Sequence, residues 1–105
     1  MTIVEGRIDV LADAAISTDY HYRLFGALVT AVESLHEASW LRVGGIVGGH
    51  VAGSKLFLRG ARIACRFPLD KLLEVGRLCD REIVIGRAHV HLGELTVAEI
   101  RPPSS

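Results

Sequence analysis

Five histidines are the side chains of this sequence best suited to moving a proton near neutral pH. His21 stands between Tyr20 and Tyr22, with Arg23 next in the chain. His36 sits in the step Leu35-His36-Glu37, and Arg42 follows shortly after. RNA can be cleaved by its own 2′-hydroxyl with these residue types alone. One group takes the hydroxyl proton, another protonates the leaving oxygen, and a cation neutralises the phosphate. Tyr20, His21, Tyr22, Arg23, His36 and Arg42 supply every type required, and the chemistry calls for no metal or other cofactor. Spacing alone favours a plainer role for His36, a cation placed where a helix dipole ends.

Other chemistries fit less well. His89 and His91 alternate on one strand face and could share a metal, but a lone His-x-His with no evident third ligand is a weak signal, so no metal site is assigned. Gly44-Gly45-Ile46-Val47-Gly48-Gly49 invites comparison with phosphate-binding loops. It lacks both the GxGxxG spacing before a helix and a GK[ST] ending, so it reads as a bent strand that lets another backbone come close. No serine sits in a nucleophile elbow, and neither Cys65 nor Cys79 has a histidine beside it. The two cysteines form no CxxC pair and read as small core residues. Asp9, Asp13 and Asp19 have no recognisable magnesium-binding spacing.

These residues need elements to carry them. Residues Thr2 to Leu11 alternate, with Val4, Ile8 and Val10 on one side and Glu5, Arg7 and Asp9 on the other, as in a half-buried strand. Ala12 to Thr18 reads as a loop, and Thr18 or Asp19 as the N-cap of a helix from about Tyr20 to Glu37. Phe25, Leu28, Val32 and Leu35 give that helix its apolar face. Trp40 to Val51 reads as a distorted strand, Gly53-Ser54 as a turn, and Lys55 to Phe67 as one long strand with a bulge at Gly60-Ala61. Pro68 and Asp70 open a second helix to about Cys79, its buried stripe formed by Leu69, Leu72, Leu73 and Leu78. Glu82 to Ile85 and Ala88 to Leu92 form a hairpin around Gly86-Arg87, and a last strand runs from about Glu94 to Ile100. The order is that of an α+β, ferredoxin-like βαββαβ domain with an extra hairpin before its last strand. Residues 1–100 are expected to be one domain and 101–105 a disordered tail.

Composition sets the outer bounds. The chain has 105 residues, half of them apolar and 23% charged, which is ordinary for one globular domain. No apolar run approaches the ~18 residues of a membrane helix, and the first residues lack a signal peptide's apolar segment, so a cytoplasmic protein is expected. Twelve basic residues balance twelve acidic ones. That argues against a strongly basic nucleic-acid binder without excluding one, because distribution matters more than the sum. Ten of the twelve cations are arginine, the residue suited to forked phosphate contacts. Arg59, Arg62 and Arg66 read either as phosphate contacts or as a solvated stripe. Phe57 reads either as a base-stacking platform or as core.

Several runs together resemble one family. They are Asp19 to Leu28 (Asp-Tyr-His-Tyr-Arg-Leu-Phe-Gly-Ala-Leu), Leu35-His36-Glu37, Arg42 to Gly49, Leu56-Phe57-Leu58 and Ala61 to Pro68. Leu78 to Gly93 is similar to a hairpin of the pattern L-x-G-K-x-L-x-I-x-G-x-x-I-x-L-G. The family is the CRISPR repeat-RNA endoribonucleases of the RAMP superfamily, the Cas-six group, with the MYXAN subtype as the nearest pattern. The resemblance implies ferredoxin-like RNA-binding domains and metal-independent cleavage within each repeat, leaving a 2′,3′-cyclic phosphate. It implies His36 as the acid-base residue, by the family's Leu-His step, with His21 of the His21-Tyr22 step in reserve. Two departures stand out. Members typically carry two such domains, the second with a glycine-rich loop that has no counterpart after residue 93, and they are usually more basic. The expected partner is therefore CRISPR repeat RNA, bound by a homodimer, by half of a two-domain enzyme, or beside other CRISPR subunits. Two rival readings are a non-catalytic RNA-binding module of the same descent and an unrelated ferredoxin-like regulatory or ligand-binding dimer.

Overall fold

The computed structural model describes residues 1–100, so the expected tail at 101–105 lies outside the described residues. The alternating N-terminal segment forms β1 (Ile3–Leu11), with Val4, Gly6, Ile8 and Val10 buried. Gly6 leaves room for its neighbours: a Cβ there would lie 2.7 Å from Phe67 Cε1 and 2.9 Å from Leu95 Cδ1. β1 is the centre of the sheet, antiparallel to β6 (Arg62–Pro68) on one side and β8 (Ala88–Glu99) on the other. With β3 (Arg42–Val47) outside β6 and β7 (Glu82–Ile85) outside β8, the order is β3-β6-β1-β8-β7. Without β7 this is the second-third-first-fourth order of a ferredoxin-like βαββαβ domain, as the sequence order predicts.

The hairpin is less separate than expected. Its second arm and the last strand are one twelve-residue strand, β8, and the pairing with β1 slips by one residue between Ile8–Leu95 and Val10–Leu92. A bulge at this point absorbs the extra residue, so the chain need not leave the sheet.

The first helix, α1 (His21–Ala31), has Tyr20 rather than Thr18 or Asp19 at its N-cap position, with no side-chain capping hydrogen bond. Ser17 Oγ instead accepts the Asp19 N–H at 3.2 Å. α1 stops where Val32 turns extended, and a 3₁₀ turn at Glu33–Leu35 follows. Leu28, Val32 and Leu35 still reach the core across this break, because a spacing of three or four residues suits both helix types. The fourth member of the face is Leu24, fully buried, whereas Phe25 is exposed.

The expected long strand at Lys55 to Phe67 is two strands in two sheets. β5 (Lys55–Phe57) joins β2 (Ala15–Ser17) and β4 (His50–Ala52) in a small sheet of order β2-β5-β4. A tight turn, closed by the Ala61 N–H to the Leu58 carbonyl at 2.9 Å, then passes the chain to β6. That turn produces the parity slip read from sequence as a bulge. β2 lies inside the segment expected to be a loop, where Ile16 pairs with Leu56 and both are buried.

The second helix is shorter than expected: a 3₁₀ turn at Leu69–Lys71 and then α2 (Leu72–Gly76). Val75 of α2 and Leu78 in the turn after it are buried, while Leu69, Leu72 and Leu73 are exposed, so most of the predicted stripe faces outward. Leu24, Leu28, Leu35, Val75 and Leu78 share one core with Ile8, Ile63, Phe67, Val90 and Leu92. Both helices thus cover the inward face of the sheet. The other face carries Arg7, Arg42, Arg62, Arg66 and Thr96 to the surface. Among the described residues no helix is long and apolar enough to cross a membrane.

Candidate functional site

Helix α1 begins against the edge strand β3. The Tyr20 side chain is buried, and its hydroxyl accepts the Ile46 N–H at 2.7 Å. Gly45 makes this approach possible: its φ is +120, and a Cβ there would lie 3.0 Å from Tyr20 Oη and 3.1 Å from His21 Nε2. The register slip between Val43 and Gly45 marks the same point. Gly44 and Gly45 therefore bend β3 where the start of α1 comes close, whereas Gly48 and Gly49, with φ +76 and +75, turn the chain out of β3 into β4, so the strand expected over Trp40 to Val51 is two strands in two sheets. His21 stacks on Tyr20, with ring centroids 4.5 Å apart and planes 15° apart, yet stays exposed to solvent. The strand edge thus holds the tyrosine, and the tyrosine holds the histidine. Tyr22 is 92% exposed and takes no part in this contact.

Beside Tyr20 lies a cleft of about 360 Å³. It is bordered by Arg23 of α1, Lys55 of β5 and Arg87 of the β7–β8 turn, and no carboxylate lines it. Sequence reading named Arg23 but missed Lys55 and Arg87. Each of these follows a turn, at Gly53-Ser54 and at Gly86, and only the folded chain brings the two turns to one place.

His36 is elsewhere. It follows the 3₁₀ turn beyond α1, whose eleven residues alone span ~16 Å. It shares a shallow hollow with Glu33, Ser34 and Glu37, carboxylates that would repel a phosphate. It does not end α1, whose C-cap is Val32. The structure therefore brings Tyr20, His21 and Arg23 together and leaves His36 apart.

The remaining arginines divide. Arg42 and Arg66 pair across β3 and β6 and border a small hollow on the open sheet face together with Glu5. Arg62 shares that face but is engaged by Asp9, with Nε 3.2 Å from Oδ1. Arg59 lies in the turn between β5 and β6, so it does not continue a stripe with Arg62 and Arg66. Phe57 is half exposed on the small sheet, 6.3 Å from the His50 ring.

His89 and His91 each meet a carboxylate. His89 Nδ1 is 3.2 Å from Glu82 Oε1, and His91 Nε2 is 3.7 Å from Asp80 Oδ1. Among the described residues no group of three or more ligating side chains is placed to hold a metal. Cys65 is buried, its thiol donating to the Gly6 carbonyl at 3.6 Å, and burial pushes its pKa up to about 11. Cys79 is half-buried, and both are free thiols.

Comparison with known proteins gives three findings. No curated protein matches the chain. A solved structure described as "CRISPR associated protein Cas6" matches with a TM-score of 0.66 at 10% identity, over 97% of this chain and 50% of that one. That likeness speaks for the fold, and the chain spans about half the length of that structure. The model of the family described as "Cas6 Crispr" matches residues 10–105, nearly the whole sequence, and on that match the chain belongs to the Cas6 family.

Proposed function

We propose that the domain binds CRISPR repeat RNA and takes part in cutting it, with His21 as the acid-base residue. CRISPR repeat-RNA processing is the role of the family, and membership supports it here. The observation that carries the choice of site is the stacking of His21 on a buried Tyr20 that itself lines a cleft bordered by three cations. In this reading His21 takes the proton of the 2′-hydroxyl. The 2′-oxygen bonds to phosphorus as the bond to the 5′-oxygen breaks, leaving a 2′,3′-cyclic phosphate. The leaving oxygen receives its proton from the exposed Tyr22 or from water. Tyr20 positions the imidazole, and Arg23 neutralises the phosphate. His36, among carboxylates, is the weaker candidate.

Because the chain spans half of the solved structure it matches, the same reading includes a second half of the site. A further domain or a second copy of this chain would supply it, in a cytoplasmic setting and with room for other CRISPR subunits.

The test is a gel assay of labelled repeat RNA in EDTA with wild type, His21→Ala and His36→Ala. Cleavage by wild type and His36→Ala but not by His21→Ala is expected. Loss in His36→Ala alone would move the site to the far end of α1. Salt-sensitive binding with no cleavage by any of the three would leave the non-catalytic binding module as the reading.

A further inference from the structure

The cleft beside Tyr20 does not end at Arg23. A second groove, about 690 Å³, runs between α1 and β7, and the two share Arg23 and Gly86. Small residues of α1 floor it, and a Cβ placed on Gly26 would meet nothing within 4 Å, so packing does not fill the space. Gly86, with φ +65, carries the β7–β8 turn over Arg23: a Cβ there would lie 3.2 Å from Arg23 Nη1. Arg81 borders the far end, its Nε donating to the Arg77 carbonyl at 3.3 Å.

Four cations from four segments therefore border two adjoining clefts: Lys55, Arg87, Arg23 and Arg81. Among the described residues, no ion pair includes any of the four. One carboxylate, Glu82, lines the second groove, and it already meets His89 at 3.2 Å. In a chain with as many acids as bases, gathering four unpaired cations around two adjoining clefts has an electrostatic cost that an anion removes. A free phosphate would need only the convergent end. The continuation along α1 past small residues suits a polymer.

We propose that the two clefts form one track for a single strand of nucleic-acid backbone, in which Lys55, Arg87, Arg23 and Arg81 meet successive phosphodiesters. This rests on the RNA reading above and adds to it where the strand runs.

For single strands, each phosphate contact contributes roughly −0.7 to the slope of log K against log salt. The Lys55→Ala/Arg87→Ala double variant should lower the magnitude of that slope by about 1.4, and affinity at ~0.15 M salt about tenfold. Binding of a short oligouridylate and of repeat RNA is measured by fluorescence anisotropy, and circular dichroism checks the fold of each variant. Arg7→Ala, which removes one cation from the opposite sheet face, is the control and should leave the slope unchanged. Wild-type binding with an unchanged slope in the double variant overturns the track while the RNA reading stands. Wild type that binds no RNA even at low salt overturns both. In a parallel NMR titration with inorganic phosphate alone, the track predicts weak shifts. Saturable shifts of Gly86 and Arg87 there, without slope loss for RNA, would mean a small-anion pocket and overturn the track.

Discussion

Replacing Tyr20 with phenylalanine removes one oxygen and keeps the ring. The structure makes that oxygen the acceptor for the Ile46 N–H at 2.7 Å, a contact joining residues 26 positions apart. Ile46 is half-buried on an edge strand, so its N–H would be left with poor access to water. A buried donor deprived of its partner costs about 1 to 3 kcal/mol, and partial exposure puts this one in the lower half of that range. In a domain of this size, 1 kcal/mol moves Tm by ~4 to 8 °C. Tyr20→Phe should therefore melt roughly 5 to 10 °C lower, with a reduced urea midpoint and an unchanged m-value. Tyr22→Phe is the matched control, because that side chain is 92% exposed and has no contact to lose. It should stay within about 0.5 kcal/mol of wild type. Urea unfolding followed by circular dichroism measures both. If the two variants unfold alike, the hydroxyl does not anchor α1 to β3, and the argument that β3 positions His21 through Tyr20 fails.

Other substitutions probe the rest of the account. Gly6→Ala should lose about 1 to 3 kcal/mol of stability, since its Cβ would stand 2.7 Å from a fully buried Phe67 ring; an unchanged urea midpoint would mean that the ring moves freely. Gly26→Ala should go the other way, gaining about 0.5 to 1 kcal/mol, because it is helical and its Cβ meets nothing. The Cys65 thiol is raised from 9.0 to about 11 by burial, so the folded state holds its proton more tightly than the unfolded chain does. Its contribution is complete below about pH 9 and is lost as pH rises toward 11, by roughly 2 to 3 kcal/mol in all. Urea midpoints of wild type and Cys65→Ala between pH 8 and 10.5 should converge as pH rises, and parallel curves would contradict the assigned burial.

The parts of the fold legible in the sequence are those that a single strand or helix face decides. Alternation in Ile3–Leu11 gave away the central strand, and the step from Leu28 to Val32 to Leu35 marked a core-facing ridge even though the helix ends between them. Decisions that depend on two distant segments were not legible. The parity slip at Gly60-Ala61 has the same local signature whether the chain bulges within one sheet or turns into another, and β2 is only three residues long. Of the four leucines at 69, 72, 73 and 78 only Leu78 is buried, and the other buried residue is Val75, which the leucine stripe passed over because the helix is a single short turn rather than a long face. The site follows the same division. Tyr20, His21 and Arg23 are neighbours in sequence and could be grouped at sight. Lys55 and Arg87 join them only through two turns, and Gly45 declares its purpose only when the Tyr20 hydroxyl is seen against it. The resemblance pointed to His36 through a two-residue step that says nothing of its surroundings, and those surroundings are acidic.

On the proposed function, repeat RNA is cut by attack of its own 2′-hydroxyl. The most direct test is mass spectrometry of the fragment ends after incubating repeat RNA with the wild-type protein in EDTA. The expected ends are a 2′,3′-cyclic phosphate on one fragment and a 5′-hydroxyl on the other. A 3′-hydroxyl with a 5′-phosphate, or bound RNA that stays intact, would contradict the proposed function.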